Sequence, residues 1–174
     1  MEQESLKFKK VDKGTVLLRQ GEYCKNGFRV VSGCLKSYVI DKSGKEHILQ
    51  FAPENWLISD LKSVIDKVPS AIFIEAVENS EVQLLPIGEL DSMALMPTQA
   101  LLEHNKTLVR NVIASNQRIK LLLCSTAEER YVDFMETYPS LLQRLPLKLI
   151  ASYLGMTPEY LSEIRHKIAQ KQPK

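Results

Sequence analysis

The chain has 174 residues, 44% of them apolar and 25% charged, and a net charge of +2. This mix excludes a disordered chain, and seven glycines with eight prolines exclude collagen-like and low-complexity ones. No stretch nears the roughly 18 apolar residues of a membrane span, and the start MEQESLKFKK lacks the apolar centre of a secretory signal; a cytoplasmic protein without membrane contact is expected.

Residues 14–86 read as β-structure. TVLL (15–18), FRVV (28–31), LKSYVI (35–40), HILQF (47–51), AIFIEA (71–76) and VQLLP (82–86) are short runs of Val, Ile, Leu and aromatics. Turn signals separate them: Gln20-Gly21-Glu22, Ser32-Gly33, Lys42-Ser43-Gly44, Pro53-Glu54-Asn55 and Glu78-Asn79-Ser80. Many short strands at even spacing predict a sandwich, jelly roll or barrel. Leu61, Val64 and Ile65 sit at helical spacing, so a short helix interrupts the sheet between Ser59 and Lys67.

From residue 97 to 124 the period changes to that of a long helix. Its apolar seam is Leu101, Leu108, Val112, Ile119 and Leu122, widened by Val109, Ile113 and Leu123. Asn105 and Ser115 fall on that seam, where a polar residue can set register in a helix pair. A homodimer joined along this helix is expected; ordinary packing across the β-domain is the alternative. Ser125-Thr126-Ala127-Glu128-Glu129 then opens another helix, with Ser125/Glu128 or Thr126/Glu129 as capping box. It stops at Tyr138-Pro139, because the residue before proline avoids the helical region.

The strongest signal lies at the C-terminal end. Pro146 and LKLIASYL (147–154) make one helix, Gly155 allows a left-handed turn, and Thr157-Pro158-Glu159 starts a second helix. Two helices joined by a short glycine turn form a helix-turn-helix. Ala151 is small where the helices cross, and Ile150, Leu154, Met156, Leu161 and Ile164 fix the angle. The outward face carries Glu159, Tyr160, Ser162, Glu163, His166 and Lys167. In DNA binding such a face enters the major groove. From Ser140 to Lys174 six basic and two acidic residues give +4, leaving −2 for residues 1–139. A basic end of this kind favours nucleic acid.

Other chemistry is not signalled. Cys24, Cys34 and Cys124 are scattered, as are His47, His104 and His166, so no metal site is expected; buried or half-buried thiols and surface imidazoles are. HExxH, GxSxG and GxxxxGK[ST] are missing, so no enzyme and no catalytic residue is expected.

A β-roll, a long helix and a C-terminal helix-turn-helix together resemble the CRP/FNR family of bacterial transcription regulators, especially its short members found in Bacteroidetes. The residues that carry the resemblance are KGTVLLRQGEYCKNGFRVVSGCLKSYVIDKSGKEHILQFAPENW, TAEERYVDFMETYP and LPLKLIASYLGMTPEYLSEIRHKIA. It implies an α+β fold: a cyclic nucleotide-binding-like β-roll (1–96), a dimerisation helix (97–124) and a DNA-binding helix-turn-helix (125–174). The sequence ends at Lys174, shortly after the second helix, so the β-hairpin wing is expected either to be missing or to have been cut away.

The resemblance implies an effector-modulated homodimer that binds double-stranded DNA, with RNA polymerase as a further partner. The expected DNA-binding residues are Lys148, Thr157, Glu159, Tyr160, Ser162, Glu163, Arg165, His166 and Lys167. Glu159 matches the family's cytosine-reading glutamate, whereas Pro158 and Glu163 stand where the family has arginines. The effector pocket is expected at Ser59, Asp60, Lys62 and Ser70. Ser59-Asp60 replaces the family's ribose-holding Gly-Glu pair and Ser70 its phosphate-holding arginine. Asp60 retains the capacity to accept a ribose hydroxyl. Ser70 cannot make arginine's bidentate bonds, and Lys62 and Lys67 are not equal substitutes. No cofactor is therefore expected, and the effector is one other than cyclic AMP. The alternative function is a ligand-sensing or protein-interaction module with a degenerate helix-turn-helix.

Overall fold

The computed structural model describes residues 7–86 and 98–171. Pro97, Lys174 and the side chain of His104 lie outside the described residues. The fold is α+β. Eight strands come first: β1 (Lys7–Val11), β2 (Val16–Leu18), β3 (Asn26–Ser32), β4 (Leu35–Ile40), β5 (Glu46–Ala52), β6 (Leu57–Ile58), β7 (Phe73–Ala76) and β8 (Ser80–Pro86). The short helix α1 (Leu61–Asp66) lies between β6 and β7. Then follow α2 (Thr98–Cys124), α3 (Ala127–Thr137), a 3-10 turn (Pro139–Leu141), α4 (Leu147–Leu154) and α5 (Pro158–Lys171).

The strands form two four-stranded sheets, in the orders β1-β8-β3-β6 and β2-β7-β4-β5. Apolar residues that alternate along the strands close the roll's core: Val30 and Val82 from the first sheet, Leu35, Ile74 and Ala76 from the second, are fully buried. The register is set partly at Gly33, whose φ is +88°. A Cβ there would stand 2.3 Å from Ser80 Oγ and 2.7 Å from the Asn79 carbonyl oxygen, so only glycine fits.

Two strands escape the sequence reading. β1 is KFKKV, exposed at four of five positions. It is an edge strand, and lysines there discourage pairing with other chains. β6 has two residues, too few for any period.

By compactness the chain divides into two units: Met1–Val39 with Leu49–Ile113, and Ile40–Ile48 with Ala114–Lys174. The boundaries expected at 96/97 and 124/125 do not coincide with these. Helix α2 contributes its first half to one unit and its second half to the other, and the tip of the β4–β5 hairpin is counted with the helices.

In the first unit the N-terminal half of α2 is held by polar contacts. Arg110 lies 4.8 Å over the Trp56 ring and donates to the Asn55 carbonyl, and Asn111 donates to the Leu57 carbonyl at 2.6 Å. In the second unit Phe134, Tyr138, Tyr153, Ile150, Leu161 and Ile164 are the buried core. Phe134 packs against Tyr138 and Tyr153 with ring centroids 5.3 and 5.7 Å apart. Of the two capping boxes that the sequence allows for α3, the Thr126/Glu129 one is formed. The Thr126 N–H, then its hydroxyl, hold the Glu129 carboxyl below the usual range.

Candidate nucleic-acid interface and effector site

The turn between α4 and α5 is built as its residues require. Gly155 adopts φ +68°, ψ 40°, and its N–H together with that of Met156 closes the end of α4 on the carbonyls of Ser152 and Ala151. Thr157 Oγ1 accepts from the Tyr160 N–H at 3.3 Å and starts α5. Ala151 is fully buried at the crossing, with Ile150, Leu154, Leu161 and Ile164 around it. Pro146 stands as the cap just before α4.

The faces follow from ~100° per residue. With Leu161 and Ile164 inward, Glu159, Glu163 and His166 fall on one outward line. Ser162 and Arg165 flank it on one side, Tyr160 and Lys167 on the other. All seven are exposed, as are Thr157 and, on α4, Lys148. Among the described residues, neither Glu159 nor Glu163 makes a hydrogen bond or an ion pair. The helix thus presents a bare line with basic flanks, suited to base edges along its centre and phosphates beside it.

A feature the sequence reading missed positions this pair of helices. Arg118, on α2, donates through Nη2 to the carbonyls of Ile48 at 2.7 Å and Tyr153 at 2.9 Å. Its guanidinium lies 4.2 Å over the Tyr153 ring. Ser152 Oγ donates to the Glu46 carbonyl at 3.0 Å and accepts from the Ile48 N–H at 3.2 Å. Burial lowers the Arg118 pKa and raises those of the Tyr138 and Tyr153 phenols. The only sequence signal was a lone arginine on the flank of an apolar seam.

On α2 the exposed apolar line differs from the expected one. Leu102, Val109, Val112, Ile113, Ile119 and Leu123 are exposed, Leu123 at 78%. Positions 102, 105, 109, 112, 116, 119 and 123 alternate in steps of three and four, the spacing of a coiled-coil seam. Of the expected seam, Val112 and Ile119 lie on this line. Leu101 and Leu108 are half-buried, because the helix turns that side toward its own unit. Leu122 is exposed on the flank and lines a small cavity with Tyr138 and Tyr153. Asn105 is in the exposed line, joined by Asn116 rather than Ser115.

The expected effector residues form a closed polar network. Asp60 caps α1, accepting from the Ser63 N–H at 3.1 Å and from the Ser70 hydroxyl at 2.8 Å. Ser70 is buried, and its oxygen also accepts from the Ile72 N–H at 3.2 Å. Ser59 Oγ lies 3.4 Å from the buried Cys24 Sγ. Lys62 points away to an exposed pair with Asp66. The Asp60 carboxylate expected to remain available to a ribose hydroxyl is already used by the chain itself. Lys62, the one cation of the set, is turned to Asp66, so these four residues as placed offer a cyclic phosphate no charged partner.

Of the cysteines, Cys24 and Cys34 are buried as expected and Cys124 is exposed, which corrects that expectation: it ends α2 on an open flank. Among the described residues no group of three His, Cys, Asp or Glu gathers, and no helix is long and apolar enough to cross a membrane.

Residues 8–95 match the cyclic nucleotide-binding domain. The chain belongs to that family. A transcriptional activator protein, Anr, of Pseudomonas protegens is 27% identical over 171 residues, spanning 92% of this chain and 69% of that protein. The structure of FixK2 from Bradyrhizobium japonicum superposes with a TM-score of 0.77 at 18% identity, covering 95% of this chain and 85% of that one. A transcriptional regulator of the CRP/FNR family from Thermus thermophilus gives 0.70 at 16% identity, covering 95% and 87%. These two likenesses speak for the fold. The relative's match spans nearly the whole chain, and the CRP/FNR membership expected from the sequence holds.

Proposed function

We propose that the protein is a CRP/FNR-type transcription regulator that binds double-stranded DNA as a homodimer. The observation that carries this is the outward face of α5: seven residues, Glu159, Tyr160, Ser162, Glu163, Arg165, His166 and Lys167, all exposed on a helix that Thr157 caps and that is locked to α4 at Ala151 and Gly155. Lys148, Arg165 and Lys167 are assigned to phosphates, and Glu159 to a cytosine amino group. The exposed line of α2 supports pairing with a second copy. A cytoplasmic setting and contact with RNA polymerase belong to the same proposal. The effector is assigned no class beyond being other than a cyclic nucleotide, on the closed network around Asp60.

The test is selection of bound fragments from randomised DNA by the full chain at fixed salt. The expected outcome is a two-fold motif with half-sites one helical turn, ~34 Å, apart. A selection that enriches no such motif sinks the reading, and a module that binds another protein through α5 would replace it.

A further inference from the structure

Glu163, like Glu159, is a residue of the α5 face that a phosphate-binding role cannot explain. It lies one turn after Glu159 on the same outward line, and both carboxylates are exposed. Among the described residues neither is bonded to a neighbour. Like charges four residues apart on a helix disfavour it by some tenths of a kcal/mol, and both face the side assigned to a polyanion. Each local rule argues against this pair, as happens where a surface is shaped for a ligand rather than for stability.

The chemistry of base edges resolves it. In the major groove a carboxylate finds one good donor, the N4 amino group of cytosine. Four helical residues rise by about 6 Å, and two base steps along a strand by about 6.8 Å. With α5 lying along the groove, side chains of equal length at positions 159 and 163 reach base pairs about two steps apart. The basic flanks, Arg165 on one side and Lys167 on the other, offset the repulsion between this line and the phosphates.

We infer that Glu163 is a second specificity determinant: with Glu159 it accepts from the amino groups of two cytosines, two base-pair steps apart, in each half-site. This rests on the DNA-binding function proposed above. It assigns Glu163 the opposite preference to a basic side chain at that place, which would favour guanine.

The experiment is the same selection run with the wild-type chain, E159Q and E163Q, followed by anisotropy titrations on the winning site and on random DNA. The wild type is expected to enrich cytosine at two positions two steps apart. E163Q should lose that preference at one position only, by about tenfold against the other bases, with a shift toward adenine, which glutamine reads. E159Q should do the same at the other position. Both variants should bind random DNA more tightly, since each removes a negative charge. Both positions are exposed, and circular dichroism checks that the variants keep their helices. A wild-type half-site with cytosine at one position only, or an E163Q selection identical to the wild type, overturns the assignment of Glu163 while leaving DNA binding intact. A wild-type selection without a two-fold motif overturns both.

Discussion

At the Ser70 position a hydroxyl stands where a cyclic phosphate calls for a cation. Its oxygen is engaged by Asp60 and the Ile72 N–H inside the network, and burying a phosphate there without a charged partner is unfavourable by several kcal/mol. Calorimetry should therefore show no saturable heat with cyclic AMP or cyclic GMP at roughly tens of micromolar, where a binding free energy near −6 kcal/mol is visible. A stoichiometric titration would show that another group meets the phosphate. A second residue-scale test is Gly155→Ala. The left-handed backbone disfavours a side chain by about 1–2 kcal/mol, and the new Cβ would stand 3.1 Å from Leu122. Urea unfolding should register a loss of that order; an unchanged midpoint would mean that the turn relaxes. Such positions are legible in a sequence because glycine and proline have strong backbone rules. Asp60 is not: its type suits a ribose ligand and a helix cap equally, and only the packing shows that it caps.

Helix α2 shows what periodicity can and cannot tell. Its length and apolar character are plain in the sequence, and the structure gives Thr98–Cys124. Which residues form the open seam is not, since lines one residue apart carry nearly the same leucines. Leu108 is on one, half-buried, and Val112 on the other, 58% exposed. Two substitutions separate them. Val112→Glu should raise the dimer dissociation constant at least about tenfold, since a charge would enter an apolar contact. Leu108→Ala should chiefly lower the stability of the first unit. Sedimentation velocity with thermal unfolding checks both; equal effects on association would restore the expected seam. Arg118 makes a different prediction on the same helix. Arg118→Met keeps the length but removes two charge-assisted bonds to the Ile48 and Tyr153 carbonyls. A loss of roughly 2–4 kcal/mol is expected, because each acceptor sits in a half-buried place. If denaturant unfolding moves by less than half a kcal/mol, water substitutes for the guanidinium. Short edge strands such as β1 and β6 remain beyond periodicity, because their pairing is settled by neighbours far along the chain.

For the whole molecule, charge is distributed rather than abundant. The net +2 hides a C-terminal end of +4, so DNA affinity should depend on salt through a few contacts. Removing Lys148, Arg165 or Lys167 should weaken binding to every sequence alike and lower the slope of log K against log salt by about 1 each. A slope unchanged by Lys167→Ala would take that residue off the phosphates. The discontinuous second unit has a consequence for how the protein is made. The backbone groups of Glu46 and Ile48 meet Ser152 across separations of 106 and 104 residues. At ~5–20 residues per second, a ribosome delivers that serine about 5–20 s after the hairpin. Until then the outer edge of β5, at the end of its sheet, is open to neighbouring nascent chains on the same message. Strand pairing at that open edge competes with native closure until Ser152 arrives.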